Sequence, residues 1–337
     1  MVSNLILTVT RRCNLRCAYC PTVKDGWPEL SAEQAVRGLE LYADRYGGGD
    51  IKLFGGEPLL VPNVVRAVFE AARDNPHIRW VYLSTNGLGL DLEWLEFLRA
   101  YPKGILTVSM DGLPEDHRRL RRSLPGVSDA YGHVVSLMPE LRKTPRVVVT
   151  QTIAPKTAGR AEQNFRHLVE LGFRRFNLLP GYYLPWREAQ LEQLRAGFDG
   201  IANVIREHWA ADKQLYLRNL FTYAPTPFFN TGLVIDSDAT IHPSNVGLSG
   251  KLDALLGKTE VGTLDNPPSL EELQERERQV NELLKNELPE RVWSSTMAVD
   301  AELTRMCEGL YPDYVAYRKR RKVAKAKRKA SNSSEAA

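Results

Sequence analysis

The chain has 337 residues, 43% hydrophobic and 26% charged, a balance ordinary for a soluble globular protein longer than one domain. No apolar run approaches the ~20 residues that span a bilayer, and the N-terminus lacks the basic region, apolar core and cleavage site of a secretory signal. A cytoplasmic protein with reduced thiols and no membrane partner is therefore expected. The net charge of +4 misleads: residues 318–329 hold nine Lys or Arg and no acid, and without them 36 basic residues face 41 acidic ones, a balance of −5.

Residues 5–10 read as a buried first strand. Directly behind it stand Cys13, Cys17 and Cys20, three of the chain's four cysteines, spaced C-x3-C-x2-C. Ser31 is placed to N-cap a helix that runs to Tyr46 and stops at Gly47-Gly48-Gly49. Further strands are expected at 50–54, 78–84, 105–110, 146–152 and 173–179. Helices alternate with them at about 63–73, 91–100, a stretch ending near 141, and 162–171. Six strands alternating with helices imply right-handed crossovers and a parallel sheet, which periodicity alone does not resolve into an open sheet or a barrel. Pro185-Trp186 precedes a long helix over 188–211. Residues 233–243 read as a hairpin with a Ser237-Asp238 turn, an acidic helix covers 270–284, and another helical stretch covers 297–319. The small polar residues of 331–337 suggest disorder. The expected units are a core over 1–180, a linker and long helix over 181–227, a small α+β module over 228–317 and a basic disordered tail over 318–337.

Three thiolates on one loop can meet a single inorganic centre, and soft sulfur favours iron–sulfur clusters and zinc. A structural zinc site normally has four ligands, and no second C-x2-C or nearby histidine follows this loop. A disulfide framework fits worse, because the set is odd and Cys307 lies far away. Three ligands on a four-iron cluster leave one iron open.

The run Cys13-Asn14-Leu15-Arg16-Cys17-Ala18-Tyr19-Cys20 resembles the cluster loop of the radical S-adenosylmethionine (radical SAM) superfamily. That resemblance implies a [4Fe–4S] cluster on Cys13, Cys17 and Cys20 whose open iron is chelated by the amine and carboxylate of SAM. It implies an electron from a flavodoxin- or ferredoxin-like donor, splitting of the sulfonium bond to a 5′-deoxyadenosyl radical, and loss of a hydrogen atom from the substrate. The implied fold is α/β, a six-stranded partial (β/α)6 TIM-like barrel over 1–180. Gly55-Gly56-Glu57-Pro58 resembles the family's Gly-Gly-Glu-Pro motif, which binds the methionyl amine; read plainly, it is a strand-to-helix turn. Asn86 and Ser109 match segments lining the SAM pocket, Arg121 a partner for the SAM carboxylate, and Tyr19 and Leu179 neighbours of the adenine. Without the resemblance these are polar strand ends and a solvated helix face. Asp111 is a candidate brace for the loop. Gln151, Asn177, Tyr182, Tyr183 and Trp186 are the candidate substrate-facing residues, with lid packing as the plain reading of the aromatics.

The hairpin through Pro243-Ser244 resembles the C-terminal SPASM or twitch extension of peptide-modifying radical SAM enzymes, except that serine stands where that extension carries cysteine. An extension without an auxiliary cluster is expected. The implied substrate is a ribosomally synthesised peptide undergoing epimerisation, crosslinking or another C–H modification, or else a small metabolite. A non-catalytic iron–sulfur or RNA-binding protein using the basic tail is the rival reading. No leader-binding segment precedes Leu5, so peptide recognition is expected at the barrel mouth, the C-terminal module or a separate partner.

Overall fold

The six expected runs become strands in a computed structural model, which describes residues 2, 4–222, 231–248 and 258–335. In chain order the strands are β1 (Asn4–Thr10), β2 (Leu15–Cys17), β3 (Gly49–Gly55), β4 (Ile78–Thr85), β5 (Gly104–Ser109), β6 (Arg121–Ser123), β7 (Val147–Ile153), β8 (Arg175–Pro180), β9 (Tyr216–Leu217), β10 (Thr231–Ile235), β11 (Thr240–Ser244) and β12 (Gly262–Thr263). The helices are α1 (Ala32–Arg45), α2 (Pro62–Arg73), α3 (Leu92–Ala100), α4 (Pro114–Leu120), α5 (Ala130–Ser136), α6 (Met138–Leu141), α7 (Ala161–Leu171), α8 (Glu188–Ala210), α9 (Leu270–Glu287) and α10 (Glu290–Glu335).

Strands β1, β3, β4, β5, β7 and β8 lie side by side and parallel in that order, so the sheet is the open half-barrel of an α/β fold. Alternation of side chains sorts its two faces. Leu5, Leu7, Ile51, Leu53, Val81, Leu83, Val108 and Leu178 are buried beneath the helix layer, each contributing about 1.5–3 kcal/mol. Their neighbours Lys52, Phe54, Tyr82, Ser84, Ser109 and Asn177 are only half-buried and form the other, concave face. The helices start where their caps say: the Ser31 hydroxyl accepts from the Gln34 amide and Gln34 answers to the Ser31 amide, while Asp91 caps α3 through the Trp94 amide at 2.8 Å.

Two expectations change. The hairpin β10–β11 is not a module apart, because β10 pairs parallel with the free edge of β1, Leu5 opposite Leu233 and Leu7 opposite Ile235. Gly232 makes the approach feasible: its φ is +142°, and a Cβ there would stand 2.4 Å from the Asn4 carbonyl oxygen. The basic run, expected to be disordered, continues α10 as far as Glu335, in keeping with the high helix propensity of Lys, Arg and Ala. Parts of the expected linker and module, 223–230 and 249–257, lie outside the described residues, as do 336–337. Among the described residues, no helix is long and apolar enough to cross a membrane.

Candidate functional site

The cysteine loop leaves β1 where the register with β3 shifts between Thr8 and Thr10. The turn after β3 holds its first residues: the Gly56 amide donates to the Thr10 carbonyl and the Glu57 amide to the Arg12 carbonyl, both at 2.8 Å. Only glycine permits that contact. Gly55 has φ +132°, and a Cβ on Gly56 would lie 2.1 Å from the Arg12 carbonyl oxygen. Farther along, β2 pairs antiparallel with β6 in a two-stranded ribbon that sets Cys17 opposite Arg121, and the Ala18 amide donates to Leu120 at 2.8 Å. Buried Lys24 ties the inside of the loop by donating to the Leu15 carbonyl at 2.9 Å.

All three loop thiols are free and partly buried. Cys13 Sγ accepts from the Leu15 amide at 3.4 Å and from Asn86 Nδ2 at 3.9 Å, the kind of N–H···S contact that supports a metal-bound thiolate. Burial pushes the Cys13 thiol up and the Cys17 thiol to about 12, although Arg121 works against the latter shift. The charge of a bound metal would offset the cost of ionising them. Among the described residues no three His, Cys, Asp or Glu converge on one metal ion. An iron–sulfur cluster does not ask that of its ligands, since each thiolate takes a different iron, and three soft donors on one loop suit it.

Two buried carboxylates organise the surroundings. Glu57 accepts from Thr85 Oγ1 at 2.6 Å, the Asn86 amide at 2.7 Å and the Leu59 amide at 3.1 Å, so it staples the end of β3 to the end of β4. Burial raises its pKa while those three donors pull it back. Asn86, thus positioned, reaches Asn14 Oδ1 at 2.7 Å. Asp111 receives Arg121 in a two-pronged pair, Nε and NH2 each at 3.0 Å, together with the Tyr19 hydroxyl at 2.8 Å and the Thr152 amide at 3.1 Å. The Arg121 guanidinium also lies 5.4 Å from the Tyr19 ring centre. Burial opposes the arginine's charge, but Asp111 and Tyr19 more than offset it. Asp111 is the expected brace. Beside Arg121 an open cleft of about 480 Å³ is lined by Arg118, Arg122, Ser123, Val127 and Asp129.

The substrate-facing candidates divide. Asn177 is half-buried on the concave face, with Nδ2 3.5 Å from Thr150 Oγ1, and Ser109, the last residue of β5, and Leu179, next to the last of β8, are partly exposed. Gln151 does not belong there. It alternates with Thr150 and Thr152, is fully buried, and its Nε2 points to the carbonyls of Asp111 at 3.4 Å and of Ala161, the first residue of α7, at 3.5 Å. The aromatics Tyr182, Tyr183 and Trp186 are buried under α10: the Tyr182 hydroxyl donates to Asp300 at 2.9 Å, the Tyr183 amide to Thr296 at 2.9 Å and the Trp186 amide to Ser295 at 3.0 Å. Packing, the plain reading, accounts for them. Thr85, Lys24, Arg11 and Asp236 support the site and were missed; nothing local in the sequence marks them.

Residues 7–131 match the sequence profile of the Radical SAM superfamily. The GTP 3′,8-cyclase of Paenarthrobacter nicotinovorans is 33% identical over 119 residues, 34% of this chain and 33% of that protein. That of Synechococcus sp. (strain CC9605) is 28% identical over 219 residues, 63% of this chain and 60% of that protein. The matched stretches span about a third and three fifths of these relatives' lengths. Among solved structures, native anSMEcpe with bound AdoMet and Cp18Cys peptide superposes with a TM-score of 0.71 at 16% identity, over 93% of this chain and 99% of that one. Streptococcus suis SuiB bound to S-adenosylmethionine gives 0.61 at 14% identity, over 79% of this chain and 64% of that one. At such identities the likeness is one of fold, and it is the likeness expected of the open half-barrel.

Proposed function

We propose that the chain is a radical SAM enzyme carrying one [4Fe–4S] cluster on Cys13, Cys17 and Cys20 with S-adenosylmethionine beside it, a reading supported by the match of residues 7–131 to the Radical SAM superfamily. The observation that carries this reading is the joint between two motifs, the Gly55–Glu57 turn hydrogen-bonded to the backbone of the cysteine loop at Thr10 and Arg12. When bound, the cluster and SAM supply a 5′-deoxyadenosyl radical that takes a hydrogen atom from the substrate. The chain's residues bind and orient. An ammonium needs acceptors, and with its Gly56 and Glu57 amides given to the loop the glycine turn offers carbonyl oxygens. Arg121 has five N–H donors and gives two to Asp111, so the SAM carboxylate would take others. Asn86, just beyond β4, and Ser109, at the end of β5, stand on neighbouring strands where a ribose would lie, and Tyr19 and Leu179 would flank the adenine. Asn177 is the substrate-facing candidate that keeps its place.

The substrate we favour is a ribosomally synthesised peptide. Support comes from the neighbour that covers 93% of the chain with a bound peptide, from SuiB solved with its precursor peptide SuiA, and from the sheet extension at the free edge of β1. A small metabolite is the second reading, supported by the relatives named GTP 3′,8-cyclase. Either needs a low-potential electron donor of the flavodoxin or ferredoxin kind and the reducing cytoplasm. The test is anaerobic reconstitution with iron and sulfide, a count of about four irons per chain, and assay of 5′-deoxyadenosine from SAM under a chemical reductant. Cys17→Ala is expected to abolish the product and Cys307→Ala to leave it unchanged. SAM cleavage by Cys17→Ala at the normal rate would overturn the assignment, and a salt-sensitive RNA complex in place of SAM cleavage would favour the binding protein.

A further inference from the structure

We propose that Asp236, on the turn of the C-terminal hairpin, is a positioning residue for the cysteine loop, acting through the buried guanidinium of Arg11. The proposal rests on the cluster assignment above for its meaning, though its geometry stands apart.

Arg11 stands two residues before Cys13 and is 1% exposed, an unusual burial for an arginine. Its Nε donates to Asp236 Oδ1 at 3.2 Å and its NH2 to Asp236 Oδ2, and the Trp27 ring centre lies 3.5 Å from the guanidinium carbon. Trp27 belongs to the arm of the loop that returns after Cys20, and that arm is closed at its base where Leu30 donates to the Val9 carbonyl at 3.1 Å and Glu29 bridges to Thr10. One side chain therefore touches the returning arm and the hairpin, while its own backbone sits between the two carbonyls that receive the Gly56 and Glu57 amides. If the guanidinium loses its seat, the outgoing and the returning arm lose it together.

Asp236 is itself fixed. The parallel pairing of β10 with β1 ends at Leu7 opposite Ile235, which sets Asp236 alongside the last residues of β1. Its Oδ1 accepts from the Ser237 amide at 2.6 Å, and its backbone closes the turn through Thr240 and Ala239, each at 2.9 Å. Ala239 holds the turn with φ +68°, in the left-handed region. The hairpin, with Ser244 in the place of a cysteine, thereby has a task at the metal site that needs no metal of its own. Supports of this kind around metal ligands typically change metal affinity about 10- to 100-fold when lost.

The experiment uses the full chain and three variants. Asp236→Asn takes one buried charge away from beside another and can unfold the protein, so the deciding variant is Arg11→Met/Asp236→Leu, which removes both charges together. Alkylation of the iron-free protein, mapped by mass spectrometry, reads the loop directly, with Cys307 as the internal control. In a double variant whose Tm equals that of the wild type, labelling of Cys13, Cys17 and Cys20 relative to Cys307 should quicken about tenfold, and the reconstituted cluster should lose iron to a chelator about tenfold faster. Asp236→Glu, which keeps a carboxylate opposite Arg11, should stay closer to wild type than the double variant in both. Unchanged labelling ratios at an unchanged Tm would overturn the proposal. A wild-type chain that takes up no iron while the labelling ratios shift would leave the positioning role standing and defeat the cluster assignment instead.

Discussion

Two buried arginine–aspartate pairs grip the cysteine loop near its two ends, and they differ in how far the chain travels to make them. Arg121 and Asp111 are ten residues apart, both supplied by the strand–helix unit that follows β5, whereas Arg11 and Asp236 are 225 apart and meet only when the hairpin docks on β1. The local pair forms wherever the half-barrel forms. The distant pair makes the first residues of the loop depend on the far end of the sheet, so the site is not fully shaped until the last strands are in place. Asp111 also serves Tyr19 and Thr152, while Asp236, among the described residues, adds the side-chain acceptance of the amide of its own turn.

The sharpest way to break this comparison is to neutralise each aspartate in turn. Removing one partner of a buried pair costs about 3–5 kcal/mol, and Asp111→Asn should fall at the upper end because the amide keeps one acceptor oxygen, so that either Tyr19 or Thr152 loses its acceptor together with one prong of Arg121. Asp236→Asn should fall at the lower end. Urea unfolding of the iron-free protein measures both, and a larger loss for Asp236→Asn would reverse the ranking. His117 extends the local side: its Nδ1 accepts from the Asp111 amide at 3.3 Å, and burial drives its pKa down to about 4. An imidazole that titrates near 6.5 once unfolded binds its proton more readily unfolded than folded between those values. That stability is complete above about pH 6.5 and is lost as pH falls toward 4, on the order of 3 kcal/mol in all. Comparing urea midpoints at pH 7 and pH 4.5, wild type should lose more than His117→Asn, whose Oδ1 can still accept from Asp111. Equal losses would mean the imidazole is not held neutral.

Glu57→Gln tests whether the glutamate staples or binds. Each of its oxygens already accepts from the protein, so an amide must turn a donor toward either the Asn86 amide or the Thr85 and Leu59 donors. Loss of a hydrogen bond to a charged group costs about 1.5–3 kcal/mol, and this should appear as reduced stability of the iron-free protein before any cofactor is added. If stability is unchanged and only SAM affinity falls, Glu57 acts at the ligand and not through the strand ends.

The parts of the fold readable in the sequence were those with a local cause. Ser31 with Gln34, Asp91 before α3, and alternation along β1, β3 and β4 each leave a mark within a few residues. So did the cysteine spacing and the paired glycines, whose lack of a Cβ is the condition for contact with the loop. The ribbon of β2 and β6 was silent because three residues carry no periodicity, although it decides that Arg121 faces Cys17. Asp236 was visible only as part of a turn, since nothing near it in sequence reports a partner 225 residues away. Proximity in sequence to the end of β8 makes the aromatics substrate-facing candidates, and α10, arriving much later, buries them.

Gln151 gives the finest test, because its expected and observed places differ by one residue along β7. A strand turns successive side chains to opposite faces, so Thr150 and Thr152 look toward Asn177 and Tyr19 while Gln151 looks toward α7. Its contacts are long, 3.4 and 3.5 Å, and its Oε1 is buried without a hydrogen-bond partner among the described residues. Replacing such an amide with an apolar side chain of similar size removes two weak bonds and relieves one unsatisfied oxygen, terms that nearly cancel. Gln151→Leu should therefore change stability by less than about 1 kcal/mol and leave substrate KM untouched, whereas Asn177→Leu, on the concave face, should raise KM at unchanged stability. A KM effect at Gln151 with none at Asn177 would place the substrate on the other face of β7 and undo the assignment of the concave face as the substrate surface.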